Sequence, residues 1–335
     1  MTLPDGLGGE LILDARDYSR SRIPWLQARR TGLGASETAA VLNLSDWKTP
    51  LQVWLDKTST APVEDVHVSE AAEWGSVLEA VVARKVGTRH RELGKIAPTP
   101  GLLRHPEHPW MLATLDRLLV ERGTANPRVL AALEVKTTSL ANYIQRWEDN
   151  LPPLSIQVQV QQQLAVTGLD RIWVAVLVGG QRMPAPIPID RNERVIEQLI
   201  NYGGRWWNDH VVGGEQPAPT FGDRKTLHKL WPGDQNLDDL TASDDVLDAH
   251  GRLVDARRRK AEAEADADAA AFELQTALGD RTALRDRDGR LLATWKPQTS
   301  SRIDSARLRK NYPAIAKAVT KQSTARRFLP KEHDA

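Results

Sequence analysis

The sequence contains no cysteine among its 335 residues. This absence excludes disulfides, a thiol nucleophile, cysteine-ligated zinc sites and iron–sulfur clusters. The sequence also has no run of about 18 apolar residues, the length that a membrane-spanning helix needs. Residues 1–6 lack the basic and then apolar pattern of a secretory leader. We therefore predict no membrane span and expect a cytoplasmic location.

The sequence has little net charge, because 45 lysines and arginines stand against 44 aspartates and glutamates, a formal charge of +1. The overall charge therefore indicates no class of partner. The distribution is uneven, since residues 281–335 hold 14 basic and 5 acidic side chains. Such a segment often binds a nucleic acid backbone, although a solvated helical face explains it equally well.

A break in the pattern near residues 213–223 marks the expected domain boundary. This stretch contains Gly-Gly and Pro-Ala-Pro, which interrupt helices and strands. We predict a first domain over residues 1–213 and a mostly helical C-terminal extension over residues 214–335. The extension is predicted to contain a long charged helix over 238–277, a hairpin pairing 282–285 with 291–296, and a basic helical tail over 305–331 with arginines at 326–327.

Hydrophobic periodicity in the first domain predicts an α/β fold behind a polar lead-in at residues 1–22. The predicted helices cover residues 24–30, 35–42, 49–58, 70–86, 154–168 and 192–212. The predicted strands cover residues 93–104, 111–121, 129–137, 171–179 and 186–189. The segment 154–168 alternates like a strand, but its length, the preceding proline pair and its final glycine favour a helix.

The predicted strand 129–137 carries the residues that best indicate chemistry. Glu134 and Lys136 lie two positions apart, so both side chains point to the same face of the strand. Asp116 follows an apolar run on a neighbouring strand. Two carboxylates suit a Mg²⁺ or Mn²⁺ ion that activates water to hydrolyse a phosphodiester, and a lysine beside them can neutralise charge on the phosphate. The alternative is an ordinary solvated Glu/Lys pair on a sheet face.

The segment 25–42 contains a possible phosphate site. Ser36 lies near the start of a predicted helix, whose free N–H groups attract anions. Arg29, on the helix before it, could add a bidentate contact. The alternative assigns Ser36 to a plain helix cap and Arg29 to the solvated surface.

Other polar residues leave their roles open. Glu79, one helical turn after Gly75, is either a surface carboxylate or an acid that points toward a site. The glutamines of segment 154–168 either reach a site or form a polar face. His105 and His108 lie in a proline-rich turn, where we interpret them as solvated side chains rather than metal ligands.

Five local motifs, in this order along the chain, resemble those of the YqaJ-type viral recombinases, a family of PD-(D/E)xK nucleases that includes phage lambda exonuclease. The resemblance covers roughly residues 20–210. The motifs are Trp25-x-x-x-Arg29 with Gly34-Ala35-Ser36-Glu37, Trp74-Gly75-x-x-x-Glu79, Ala113-Thr114-x-Asp116, Leu133-Glu134-Val135-Lys136 and Gln159-Val160-Gln161. Two positions depart from the family pattern, because Leu115 replaces a proline and Arg117 replaces a glycine.

The resemblance implies a restriction-endonuclease-like core, with a mixed central sheet flanked by helices, and assigns roles to single residues. By this resemblance, the metal ligands are Asp116, Glu134, the Val135 carbonyl and, directly or through water, Glu79. Lys136 becomes the catalytic lysine, and Gln159 completes the site. By the same resemblance, Arg29 and Ser36 hold a terminal 5′-phosphate.

The activity implied is that of a Mg²⁺-dependent deoxyribonuclease, with Mn²⁺ as a substitute. We expect a 5′→3′ double-strand DNA exonuclease for phage-type homologous recombination in a bacterial or phage-infected cell. Its expected partners are duplex DNA ends, a single-strand annealing protein and further copies of the chain in a homo-oligomer. The alternatives are an endonuclease of restriction or repair type on the same core and a non-catalytic DNA-binding scaffold.

Overall fold

A computed structural model describes residues 3–63, 69–147, 151–231, 239–321 and 327–331. Arg326, one of the arginines of the predicted basic tail, lies outside these residues.

The chain forms two compact units, Met1–Leu227 and His228–Ala335. This division falls later than the sequence break at residue 213, because Asp223 and Thr226 still bond to the first unit. Thr49 donates its hydroxyl to Asp223, and Gln52 Nε2 donates to Thr226 Oγ1 at 2.9 Å.

Helices and strands are numbered in chain order, and the first unit contains two mixed sheets. One sheet has the order β1 (Glu10–Asp14), β4 (Gly101–Arg104), β5 (Met111–Thr114), β2 (Leu33–Gly34). The other has the order β3 (Lys95–Ala97), β6 (Arg117–Val120), β7 (Val129–Thr138), β8 (Arg171–Val178), β9 (Ile187–Asp190). The pairs β2–β5 and β7–β8 are parallel, and the remaining pairs are antiparallel.

Helices of the first unit are α1 (Ile23–Arg29), α2 (Ala35–Val41), α3 (Pro50–Thr58), α4 (Glu70–Arg89), α5 (Leu140–Arg146), α6 (Leu154–Thr167) and α7 (Glu193–Trp206). Among them, α4 packs on β7 and β8, and α6 packs on β5. A further helix, α8 (Arg224–Leu230), follows. After α7 the chain continues as a π-helical turn, Trp207–Val212. The expected α/β class, with mixed sheets between helices, is confirmed. The helix α5 was not predicted.

Two predicted strands, 93–104 and 111–121, are each broken in two, and their halves belong to different sheets. Pro98 and Pro100 separate β3 from β4, because proline lacks the N–H that a ladder needs. Gly101 then passes so close to β1 that a Cβ there would lie 2.0 Å from the Leu13 carbonyl oxygen. Leu115 and Asp116 separate β5 from β6, so Asp116 stands where the chain crosses between sheets.

The prediction of a polar lead-in at residues 1–22 is wrong. Residues Glu10–Asp14 form β1, which pairs with β4 and places Glu10 opposite Arg104. The run Leu-Ile-Leu is short, so its apolar character was diluted by the polar residues around it. The Asp14 side chain then caps a 3-10 turn, Ala15–Tyr18.

The helix α6 crosses the core and is confirmed as a helix despite its alternating sequence. It begins after Pro153 and ends at Gly168, whose φ of 67° is the left-handed conformation that stops a helix. Most of its residues after the first turn are buried, including Val160 and Leu164. A helix buried nearly all round has no single apolar stripe, which explains the ambiguous periodicity.

The second unit is mostly helical, as expected. Its described elements are α9 (Asp244–Leu278), the hairpin β10 (Ala283–Arg285) and β11 (Leu291–Thr294), and the helices α10 (Ser305–Asn311) and α11 (Pro313–Val319). The helix α9 is almost wholly exposed. Pro313 divides the predicted helical tail in two, because its missing N–H breaks the helix there. In the described part of the chain, no helix is long and apolar enough to span a bilayer.

Candidate active site

Asp116, Glu134 and Lys136 meet at one point, between the crossover and the strand β7. The Val135 amide donates to Asp116 Oδ2 at 2.7 Å, which fixes the Asp116 carboxylate against β7. Glu134 Oε1 lies 2.7 Å from Lys136 Nζ. These two side chains share a face because they are two residues apart on one strand. The structure thus brings together the three residues on which the sequence argument rests.

The helix α6 holds Glu134 from the opposite side. Gln159 Nε2 donates to Glu134 Oε1 at 2.6 Å, and Lys136 Nζ donates to Gln159 Oε1 at 3.0 Å. Gln163, one turn later, donates through Nε2 to Glu134 Oε2 at 2.7 Å and to the Thr114 carbonyl at 3.1 Å. Both carboxylate oxygens of Glu134 are therefore fixed by amide donors, and their direction is set before any ligand binds.

Sequence reasoning missed Gln163 and the structural roles of its neighbours. The spacing i, i+4 from Gln159 to Gln163 was the available signal, because it places both on one helical face. Gln162 instead donates to the Leu33 and Leu112 carbonyls at 2.8 and 2.9 Å, and it tethers β2 and β5 to α6. Gln161 donates to the Asp190 carbonyl at 2.8 Å.

Two acidic side chains face one cation at this point, and the pKa values of Asp116 and Lys136 are both shifted. Burial and the Glu134 carboxylate raise the pKa of Asp116 well above its ordinary value of 3.8. Burial alone would lower the pKa of Lys136, but the carboxylates of Glu134 and Asp116 outweigh it, and the pKa is raised. The shift of Lys136 keeps its ammonium protonated, and the shift of Asp116 favours its protonated form.

Glu79 reaches the edge of the site from α4. Its carboxylate pairs with the Arg117 guanidinium, which also donates to the Asp116 carbonyl. Arg117 is the residue that replaces the family's glycine. Because its guanidinium already engages Glu79, this carboxylate is joined to the site through Arg117 in the structure.

The donor set fits a hard divalent cation. Asp116 and Glu134 supply carboxylate oxygens, and the one ammonium that contacts them, Lys136, is bonded to Glu134 and Gln159. Within the described ranges, no group of three or more His, Asp or Glu side chains is placed to hold a metal ion. Mg²⁺ commonly takes only one or two protein carboxylates and completes its shell with water and substrate phosphate, so a two-carboxylate site is compatible with it.

A second buried cluster surrounds Glu37, at the start of α2. Three cations contact its carboxylate, with Lys57 Nζ at 2.6 Å, Arg29 Nη2 at 3.2 Å and Lys48 Nζ at 3.3 Å. The Gly34 amide also donates to Glu37 Oε2 at 2.9 Å. Sequence reasoning found Arg29 but missed the other members, because they come from α3 and the loop before it.

The cations dominate this cluster. Burial raises the pKa of Glu37, but Arg29, Lys57 and Lys48 outweigh burial and hold it well below its ordinary value. Burial lowers the pKa of Lys57 to about 8, although Glu37 opposes the shift. Three basic side chains contact Glu37, and only Lys48 has a second carboxylate partner, Asp56, so the cluster keeps one surplus positive charge and can accept an anion.

Arg29 and Ser36 differ in their contacts and in their exposure to solvent. The Arg29 guanidinium lies 4.6 Å from the centre of the Trp25 ring and beside Gly34, where a Cβ would come within 2.8 Å of Nη2. Gly34, not Ser36, caps α2. Ser36 is the second residue of the helix and is exposed, so its hydroxyl is free to meet a ligand from solvent.

His105 and His108 organise their own turn. The Nδ1 atom of His105 accepts the Glu107 and His108 amides, both at 3.1 Å, and the two rings lie 4.7 Å apart. Burial, followed by the neighbouring His108, lowers the pKa of His105. Because Nδ1 of His105 accepts two backbone amides of the turn, its role is to stabilise that turn.

Comparison with known proteins places the chain in a family. Residues 24–170 match the YqaJ-like viral recombinase domain. The chain is also 35% identical over 333 residues to the uncharacterized protein YqaJ of Bacillus subtilis (strain 168), covering 95% of this chain and 97% of that protein. The chain belongs to the YqaJ family. The resemblance drawn from the five sequence motifs is therefore confirmed, and it extends beyond the first unit.

Solved exonuclease structures also resemble the YqaJ-family chain. The alkaline exonuclease LHK-Exo from Laribacter hongkongensis is 16% identical, with a TM-score of 0.46, and the match covers 62% of this chain and 99% of that one. A phage-related exonuclease from Haemophilus somnus 129PT is 9% identical, with a TM-score of 0.34, and covers 55% of this chain and 96% of that one.

Proposed function

We propose that the chain is a metal-dependent DNA exonuclease that digests duplex ends in the 5′→3′ direction. Membership in the YqaJ-like viral recombinase family supports a nuclease that acts in recombination. The observation that carries the proposal is the pair of carboxylates, Asp116 and Glu134, with a single ammonium, Lys136, between β7 and α6. A non-catalytic scaffold has no use for two carboxylates held together in this way.

In this proposal, Asp116, Glu134 and the Val135 carbonyl would hold Mg²⁺. When bound, Mg²⁺ supplies Lewis-acid activation of water and of the scissile phosphate. The amides of Gln159 and Gln163 keep the Glu134 carboxylate oriented. Lys136, protonated and fixed by Glu134 and Gln159, donates hydrogen bonds to the attacking water or the phosphate oxygen. It thereby stabilises the charge that develops during hydrolysis.

The cluster around Glu37 anchors the DNA end. Its surplus positive charge suits a terminal 5′-phosphate, which carries more negative charge than an internal phosphodiester. Arg29 presents a guanidinium that can bind phosphate through two parallel hydrogen bonds, and the exposed Ser36 hydroxyl can add a third. Digestion from the 5′ end leaves a 3′ single strand, which is the substrate expected for a single-strand annealing partner.

One experiment separates the possible activities. Linear duplex DNA with and without a 5′-phosphate, together with a closed circle, is incubated in Mg²⁺ with wild type and with Lys136→Ala. We expect digestion of linear DNA only, faster with a 5′-phosphate and lost in the variant. Cutting of the closed circle would indicate an endonuclease. Retained DNA binding without cleavage in Mg²⁺ or Mn²⁺ would overturn the enzyme and favour a scaffold.

A further inference from the structure

Trp47 has the most exposed side chain of any tryptophan in the described part of the chain. It is 88% exposed, whereas Trp74, Trp295 and Trp231 are between 50% and 56% exposed. Tryptophan is highly buried on average, because its indole removes a large apolar area from water. A ring displayed this fully contributes nothing to the core of its own unit.

The loop that displays Trp47 is held on both sides. Its predecessor, Asp46, accepts hydrogen bonds from the two terminal guanidinium nitrogens of Arg146, Nη1 and Nη2. Its successor, Lys48, pairs with Asp56 and contributes to the Glu37 cluster. The Trp47 amide itself donates to Ser45 Oγ at 3.2 Å. The backbone on either side of Trp47 is therefore fixed, while the indole projects into solvent.

Lys48 and Arg146 connect Trp47 to the two sites that are proposed to contact DNA. Lys48 belongs to the cationic cluster that is proposed to hold the terminal phosphate. Arg146 ends α5, and α5 begins two residues after Thr138, the last residue of the strand that carries Glu134 and Lys136. Trp47 is therefore adjacent to a member of the Glu37 cluster. Through Asp46, Arg146 and α5 it is also linked to the end of β7, the strand that carries Glu134 and Lys136.

We propose that Trp47 stacks on a nucleobase at the DNA end whose phosphate the Glu37 cluster holds. This proposal rests on the proposed function and names the group that positions its substrate. An indole stacks on any base, because every base has a flat π-face, so the contact suits an enzyme that must accept all sequences. The occupant follows from position, because Trp47 is followed directly by Lys48, a member of the cluster that is proposed to hold the terminal phosphate.

The test measures binding to the DNA end without cleavage. Wild type, Trp47→Ala and Trp47→Phe are titrated in EDTA with a 5′-phosphorylated duplex, and again with the same duplex carrying abasic terminal nucleotides. The exposed hairpin residue Trp295 gives the matched control, Trp295→Ala. We expect Trp47→Ala to weaken binding of the intact duplex about fivefold to a hundredfold, Trp47→Phe to restore most of the affinity, and Trp295→Ala to match wild type.

The abasic duplex distinguishes stacking from a structural role. Stacking predicts that the loss caused by Trp47→Ala disappears on the abasic duplex, because the base that Trp47 contacts is missing. An equal loss on both duplexes, or no loss on either, would overturn the proposal while leaving the nuclease intact. Cleavage by wild type, measured separately in Mg²⁺, tests the proposed function. Wild type that neither binds nor cleaves DNA ends would overturn both.

Discussion

Two glutamates, Glu37 and Glu134, are buried to nearly the same degree but have opposite surroundings. Their exposed fractions are 6% and 3%. Glu37 contacts three cations, one of which, Lys48, also pairs with Asp56, so one positive charge is left over. Glu134 faces one cation, two glutamine amides and the carboxyl group of Asp116, so one cation serves two acidic groups.

Because Glu37 and Glu134 are buried to a similar degree, the difference between their clusters lies in the neighbouring charges. Burial disfavours the ionised form at both clusters. The cations nevertheless hold the pKa of Glu37 far below its ordinary value, while the pKa of Asp116, beside Glu134, is raised. One cluster is suited to an anion and the other to a cation. A DNA end with a bound divalent metal supplies both.

The largest expected effect is on catalysis. We expect Glu134→Gln to reduce cleavage of linear duplex DNA at least about 10²–10³-fold, because it removes a proposed metal ligand and half of the negative charge that attracts the cation. Glu193→Gln, at a surface carboxylate paired with Arg191, is the matched control. Wild-type rates from a folded Glu134→Gln variant would remove Glu134 from the mechanism.

The next largest effect is expected on the stability of the protein, through the Glu37 cluster. We expect Glu37→Gln to lower the free energy of unfolding by about 3–5 kcal/mol, because it leaves the buried ammonium of Lys57 without its counter-ion. The measurement is urea unfolding at neutral pH, with Glu193→Gln again as the control. Unchanged stability would mean that water or another group already compensates Arg29, Lys48 and Lys57.

Lys57 makes the free energy of unfolding depend on pH. The folded state lowers its pKa from 10.5 to about 8, so between these values the unfolded chain binds more protons than the folded chain. Lys57 therefore makes the free energy of unfolding rise with pH across this window, by up to about 3 kcal/mol. Unfolding curves at pH 7 to 10.5 should show a steeper rise for wild type than for Lys57→Met. Parallel profiles would contradict the shift.

The smallest effect is expected at Asp116 without metal. Because folding raises the pKa of Asp116, its ionisation disfavours the folded state above its ordinary pKa of 3.8. Asp116→Asn removes that charge and can still accept the Val135 amide. We expect its melting temperature in EDTA to be a few degrees above that of wild type at pH 7, and Mg²⁺ to raise only the wild-type value. A lower melting temperature for the variant would contradict the charge imbalance.

The sequence predicted those features that depend on local periodicity. The spacing of Glu134 and Lys136 on a strand predicted their common face, and hydrophobic periodicity located α3 and α4. The five motifs, taken in order along the chain, identified the family. Each motif and each periodic segment is set by residues within a few positions of one another, so it can be read without knowledge of the tertiary fold.

The features that the sequence did not predict depend on contacts between distant segments. The partners of Glu37 come from separate elements, and Lys57 lies 20 residues away from it. Gln163 has a role only because α6 lies across from β7, 29 residues from Glu134. The lead-in proved to contain β1 because a strand 94 residues later offers Arg104 to Glu10. No local pattern reports such contacts.

The most direct test of the opposed clusters is a pair of calorimetric titrations on the same variants. Mn²⁺, used in place of Mg²⁺, and a 5′-phosphorylated oligonucleotide in EDTA are each titrated into wild type, Asp116→Asn and Arg29→Ala. We predict that Asp116→Asn loses Mn²⁺ binding but keeps the oligonucleotide, and that Arg29→Ala does the reverse. Loss of both ligands in one folded variant, or of neither in both, would contradict two separate sites of opposite charge.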